Sequence, residues 1–141
     1  MKLFALSDLH LAHVVDKPMT VFGDKWKNHT LLIEEFWHEL VSDDDVVILG
    51  GDISWAKNLD EALPDLQFID RLPGQKILLR GNHDYWWTSL KKMYELCEQE
   101  DMNTIHFLRN NALRFGSFLI GGSRGWLLPS DDEFTGQDQK I

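Results

Sequence analysis

Apolar and polar positions alternate along this chain in blocks, and three short apolar blocks each run straight into a polar cluster. Lys2–Ser7 runs into Asp8-Leu9-His10, Val46–Leu49 into Gly50-Gly51-Asp52, and Lys76–Leu79 into Arg80-Gly81-Asn82-His83-Asp84. Lys2–Ser7 reads as a buried strand. Val46–Leu49, apolar without alternation, suits a strand covered on both faces. Between the blocks the period changes to that of a helix. Asn28 is placed to cap a helix with Ile33, Phe36, Trp37, Leu40 and Val41 on one face. Asn58 and Glu61 form a capping-box pattern ahead of the stripe Leu59, Ala62, Leu63, Leu66, Ile69 and Leu72. Pro64 interrupts that stripe and shifts the expected helix start toward Leu63, and Pro73-Gly74 ends it.

The pattern is therefore β-α-β-α-β, which predicts an α/β fold with a parallel sheet and right-handed crossovers. Thr88 or Ser89 starts a further helix with Leu90, Met93, Tyr94 and Cys97 on one face. Shorter apolar runs follow at Thr104–Leu108, Ala112–Phe115 and Phe118–Ile120, and residues 129–141 read as a frayed polar tail. The 141 residues favour a single domain, and a hydrophobic content of 43% with eight Phe and six Trp is enough for a core. A long loop runs from Asp8 to about Lys27, with Pro18 and Gly23 as breakers.

In an open parallel sheet, ligands bind outside the carboxyl ends of the strands. The three polar clusters would meet there. Asp8 and His10, two apart in an extended segment, would point to one side and bind one ion together. Asp52 follows two glycines that allow a sharp turn, and its two oxygens can bridge two ions. Asn82 adds a carbonyl oxygen. Imidazole, carboxylate and amide donors suit Mn, Fe or Zn. His83, held by Asp84, can donate a proton to a leaving alkoxide, and Arg80 can take a phosphate oxygen with its planar fork. Arg124, in a Gly-flanked loop, is a weaker candidate for that task. The competing reading makes Asp8, Asp52 and Asp84 ordinary strand-end turn residues.

Charge narrows the partners. A net charge of −9 argues against general nucleic-acid binding and would repel a phosphorylated substrate unless cations or placed Arg and Lys offset it. Ser42-Asp43-Asp44-Asp45 reads as a solvated turn. The single Cys97 excludes an intrachain disulfide and suits a reducing, cytoplasmic setting. The apolar run after Met1-Lys2 is too short for a signal peptide or membrane span.

Taken in order, Asp8-Leu9-His10, Gly51-Asp52 and Gly81-Asn82-His83-Asp84 resemble the calcineurin-like metallophosphoesterases. Gly-Asn-His-Asp is the specific part, since chance places it in on the order of one chain in a thousand of this length. Ser7–Leu11, Asp16–Met19, Gly51–Ala56, Arg80–Trp87 and Gly121–Trp126 extend the resemblance to a bacterial branch of predicted phosphohydrolases. The resemblance implies a β-sandwich flanked by helices and a dinuclear metal site that cleaves a phosphate mono- or diester. It implies that Asp8 and His10 bind the first metal, Asp52 bridges, Asn82 binds the second, and His83 is the proton donor.

Members of that family are longer, and a C-terminal Gly-His-x-His motif completes their metal sites. No such motif occurs in this sequence. The expectation is an incomplete second metal site and an incomplete second sheet, in either a fragment or a shortened, catalytically impaired binding or assembly module. An uncovered sheet face or edge would favour self-association. Several further residues have two readings. His13 and His29 either fold over the site or serve as a loop and a helix-start residue. Trp55, Trp86 and Trp87 either wall a substrate pocket or pack the core, the latter being the commoner role. His38 is expected to face solvent, His106 to pack or cap, and Cys97 to be buried.

Overall fold

A computed structural model describes residues 1–123 and residue 130. Four parallel strands, β1 (Leu3–Leu6), β2 (Val46–Leu49), β3 (Gln75–Leu78) and β4 (Ile105–Phe107), form one sheet in chain order. Helices α1 (His29–Leu40), α2 (Leu59–Arg71) and α3 (Leu90–Gln99) make the three crossovers. A sheet wound in one direction with one crossover hand must place all its helices on the same face. The core shows this: Val47, Leu49, Leu78 and Phe107 pack with Trp37, Leu66, Ile69, Met93 and Cys97. The opposite face carries Val46, Ile48, Ile77 and Leu79 against Leu113, Phe115 and Ile120. Those last residues belong to an antiparallel hairpin, β5 (Asn111–Phe115) and β6 (Phe118–Gly122), which forms the small second sheet. The β2 sequence thus serves two cores by strict alternation, as its unbroken apolar run requires.

Three local expectations change. First, α2 begins at Leu59 and holds Pro64 in its second turn. Asn58 Oδ1 accepts Glu61 N–H at 3.0 Å, and the carboxylate of Glu61 accepts Lys57 N–H at 2.9 Å. This start, together with the complete burial of Ala62, Leu66 and Ile69, outweighs the one helical bond Pro64 cannot make. That bond would have gone to the carbonyl of Asp60, an exposed residue. Second, Asn28 adopts a left-handed backbone (φ 57°) and offers α1 no side-chain cap. Third, the turn before β2 is not simply solvated, because Asp45 is buried. It accepts the Lys2 and Ser42 N–H groups, which hold its carboxyl below the usual range.

β1 is also not buried. No strand lies beyond it among the described residues, so Leu3 and Leu6 stay 42% exposed. On α1 only Trp37 of the expected face is sealed within the helix, while Phe36 (54%) and Leu40 (55%) remain open. Between them lies a cavity of about 570 Å³ lined by Phe4, Leu6, Leu32, Ile33, Phe36 and Leu40 among others. Among the described residues no helix is long and apolar enough to cross a membrane.

Lys76 is fully buried at the start of β3. Its ammonium donates to the carbonyls of Asp70 (3.0 Å), Leu72 (2.5 Å) and Gly74 (2.8 Å), closing the C-terminus of α2. Burial lowers its pKa to about 8. Lys76→Met should leave these carbonyls without a donor and cost ~2–3 kcal/mol in urea unfolding. Burial pushes the Cys97 thiol up to about 11, so it should not react with thiol reagents at pH 8 until the chain unfolds.

Candidate metal centre

Backbone pairing continues beyond the ends of β1 and β2 and builds the first half of the site. Gly50 N–H donates to Leu6 O (2.8 Å), Asp8 N–H to Gly51 O (3.0 Å), His10 N–H to Asp52 O (3.0 Å) and Leu11 N–H to Ile53 O (2.9 Å). Trp55 N–H returns to Leu11 O at 2.9 Å. Leu9 and Leu11 are sunk in the core, His10 between them is also buried, and Asp8 is exposed. The two-residue spacing of Asp8 and His10 predicts an extended segment, and the structure does not show one. Asp8 (φ 60°), His10 (φ 46°) and Asp52 (φ 51°) all have left-handed backbones. Non-glycine residues adopt that region at a cost that surrounding structure must offset, and such residues cluster at functional sites.

The third loop, after β3, joins through two glycines. A Cβ on Gly51, whose φ is 113°, would meet Gly81 N at 2.6 Å, and a Cβ on Gly81 would overlap the backbone and carboxylate of Asp52. Only glycine at both positions lets the loops approach this closely. His83 N–H then donates to Asp52 Oδ1 at 3.0 Å, and His83 Nδ1 lies 2.7 Å from Asp52 Oδ2. The partner of His83 is therefore Asp52, where the sequence suggested Asp84. Asp84 points the other way and is completely buried. Its carboxyl accepts Ile53 N–H (2.8 Å), Ser54 N–H (3.2 Å), Gly81 N–H (2.8 Å) and the indole N–H of Trp86 (3.0 Å). It clamps the second loop to the third.

Asp8, His10 and Asp52 converge, each with a ligand atom within 4.8 Å of the others. Asp8 is exposed, and its Oδ1 lies 3.6 Å from His10 Nε2. Burial lowers the pKa of His10 against the pull of Asp52 and Asp8, favouring the neutral imidazole that metals bind. Burial raises Asp52, but hydrogen bonds from His83 and the charges of His83 and His10 outweigh it and keep the carboxyl below its usual range. His10 Nδ1 is buried with no partner among the described residues. Two carboxylates and a neutral imidazole within one small volume fit a divalent cation of the Mn, Fe or Zn type.

The remaining predicted residues fall into distinct places. Asn82 is exposed, and its Nδ2 lies 3.5 Å from His83 Nε2. Arg80 is half-buried, and its Nε has no partner among the described residues. Arg124 lies outside the described residues. His29 sets its ring nitrogens 3.1 Å from Leu9 O and 3.2 Å from Trp26 O, tying the start of α1 to the Asp8–His10 loop. His13 turns to Asp65 on α2. His38 faces solvent, and His106 packs on Phe115 and meets Gln75, as expected. Trp86 packs, but Trp55 is part of the site: it stacks on His10 (4.9 Å between centroids, 19° between planes) and lies 4.9 Å from His83. Lys17 Nζ sits 3.8 Å from the centroid of the Trp55 ring. Trp26, 5.8 Å from His10, has no motif around it, and sequence reasoning passed over it. Asp65 and Ser54 were passed over too, although a carboxylate at a core position of the α2 stripe was a readable signal.

The glycine contact yields a direct test. Gly81→Ala should destabilise the chain by ~1–3 kcal/mol in urea unfolding, because the new methyl has only the Asp52 backbone and carboxylate to displace. Gly121→Ala, where the added methyl meets nothing closer than 3.8 Å, should leave stability almost unchanged.

Comparison with known proteins agrees with this geometry. Over 78 residues the chain is 33% identical to the Gene 66 protein of Mycobacterium phage L5, covering 55% of this chain and 37% of that protein. Over 81 residues it is 38% identical to the Gene 66 protein of Mycobacterium phage D29, covering 55% and 38%. Over 85 residues it is 29% identical to the uncharacterised protein MJ1445 of Methanocaldococcus jannaschii, covering 59% and 47%. The matches thus span less than half the length of these relatives. The crystal structure of AQ665, a protein of unknown function from Aquifex aeolicus, superposes with a TM-score of 0.52 at 19% identity, covering 98% of this chain and 66% of that one, a likeness of fold. The profile of the calcineurin-like phosphoesterases matches residues 1–136, and the chain belongs to that family.

Proposed function

We propose that this chain carries the metal-binding part of a divalent-metal phosphoesterase that hydrolyses a phosphate mono- or diester. The observation that carries the reading is the convergence of Asp8, His10 and Asp52 on left-handed backbones at the carboxyl ends of β1 and β2. Asp8, His10 and Asp52 would hold a first ion, and Asp52 together with Asn82 would hold a second. When bound, such ions polarise the phosphoryl group and supply hydroxide at neutral pH. His83, at the rim beside Asp52, protonates the leaving alkoxide. Arg80 takes a phosphate oxygen. Asp84 contributes by holding the Gly81–His83 loop in place.

A second reading is a binding or assembly module that keeps the fold without a working dinuclear site. It is favoured by the exposed position of Asn82 and by the open apolar edge of β1. That edge is also where self-association would occur.

Bound metal per folded chain after Mn²⁺ loading separates the two readings. The phosphoesterase reading expects close to two ions per chain, lost in Asp52→Asn, with Mn²⁺-dependent hydrolysis of a chromogenic phosphodiester or monoester. One ion or none, without hydrolysis, favours the module. His83→Ala should cut turnover at least ~100-fold while leaving bound Mn²⁺ near the wild-type level. Loss of metal with no separate effect on rate would make His83 a ligand instead.

A further inference from the structure

Asp65 is the one carboxylate on the buried stripe of α2, between Ala62, Leu66 and Ile69, and is 1% exposed. A carboxylate so placed is costly unless fully hydrogen-bonded. Here every observed partner comes from a loop that carries metal ligands. Oδ1 accepts the backbone N–H of His13 at 3.0 Å and faces His13 Nδ1 at 2.5 Å. Oδ2 accepts the hydroxyl of Ser54. His13 lies three residues beyond His10, and Ser54 two beyond Asp52. The opposite face of the Ser54 peptide is tied as well, with its N–H donating to Asp84 Oδ1 at 3.2 Å and its Oγ accepting Ala56 N–H at 3.0 Å. The His13 ring also rests on Phe68, the residue three further along α2 (5.1 Å between centroids).

We infer that Asp65 is a positioning residue: from inside α2 it locks the Asp8–His13 loop against the Asp52–Ala56 loop and so sets the spacing of the metal ligands. The inference rests on the phosphoesterase reading for its metal. The physical ground is that the ligand backbones are left-handed at three positions and would relax if released. A rigid element with buried, charge-assisted bonds is what holds such loops in place. Asp65 touches neither ion nor substrate, so its effect reaches chemistry only through the ligand loops.

The test compares Mn²⁺ affinity, by electron paramagnetic resonance titration, with amide hydrogen exchange in the full chain. Asp65→Ala should weaken Mn²⁺ binding about tenfold or more, in the range seen when residues behind a ligand are removed. It should also speed exchange at the His10, Leu11 and Trp55 amides. Asp65→Asn, of the same shape and still able to accept from His13, should restore most of both. Lys76→Met destabilises α2 at the opposite end of the sheet and should leave affinity within twofold. If Asp65→Ala does not fold, Ser54→Ala, which removes one arm, and His13→Ala, which removes the ring contact of the other and leaves its backbone bond, should each weaken binding, Ser54→Ala at least threefold. Wild-type affinity in folded Asp65→Ala or in the single-arm variants overturns the inference. An equal loss in Lys76→Met overturns it too, since the effect would then be stability alone. A wild-type chain that takes up no Mn²⁺ overturns the phosphoesterase reading and the inference with it, whereas uptake that Asp65→Ala leaves intact overturns the inference alone.

Discussion

The ladder of backbone hydrogen bonds that runs on past β1 and β2, from Gly50–Leu6 to Leu11–Ile53, is the constraint on which the site depends. It continues parallel pairing through residues that no longer lie in a strand. Leu9 and Leu11 anchor one side in the core, and Ile53 anchors the other. With those side chains sealed, Asp8, His10 and Asp52 have one direction left, and the left-handed turns are the local cost. The interlocked glycines extend the same logic to the third loop. Gly51 and Gly81 have given up side chains so that Asp52 can receive His83. No single loop carries a site; the fixed offsets between three of them do.

Electrostatics reinforces the arrangement. Four carboxylates gather near the strand ends, in two pairs with opposite environments. Asp65 and Asp84 are buried and surrounded by hydrogen-bond donors, so they act as internal clamps. Asp8 and Asp52 keep oxygens directed toward one another and toward His10. Like charges this close raise the energy of the metal-free site, and a divalent cation lowers it. In a chain of net charge −9, a bound cation would also offset the repulsion that any anion meets at that spot.

Much of this was legible from residue order. The apolar runs named β2 and β3 to within one residue, and their unbroken character required two covered faces, which the helices and the hairpin supply. The Asp8, His10 and Asp52 grouping followed from polar residues placed at strand ends. The failures have physical causes. A proline is a local signal, and it lost to the capping of α2 at Asn58 and to the burial of its stripe. The adjacency of His83 and Asp84 hid a backbone that sends their side chains to opposite sides, one to Asp52 and the other into the core. Trp26 became a neighbour of His10 through the folding of a long loop, which periodicity cannot read, whereas Trp55, offered as a pocket wall or a core residue, is both buried and stacked on His10. Burial of β1 was inferred from its apolarity alone, yet an edge strand needs covering from elsewhere in space.

That last point bears on how the site stays ordered. Asp8 follows the least covered strand of the sheet, with Leu3 and Leu6 open and the α1 groove beside them. Packing on β1 itself therefore contributes little to holding Asp8. Its position comes instead through the ladder to Gly51 and Asp52, and beyond that through Asp84 and Asp65 to α2 and the buried centre of the sheet. Rigidity flows from the well-packed strands β2 and β3 outward to β1, against the order of the chain. Whatever covers the β1 edge would then tighten a ligand geometry already specified from within.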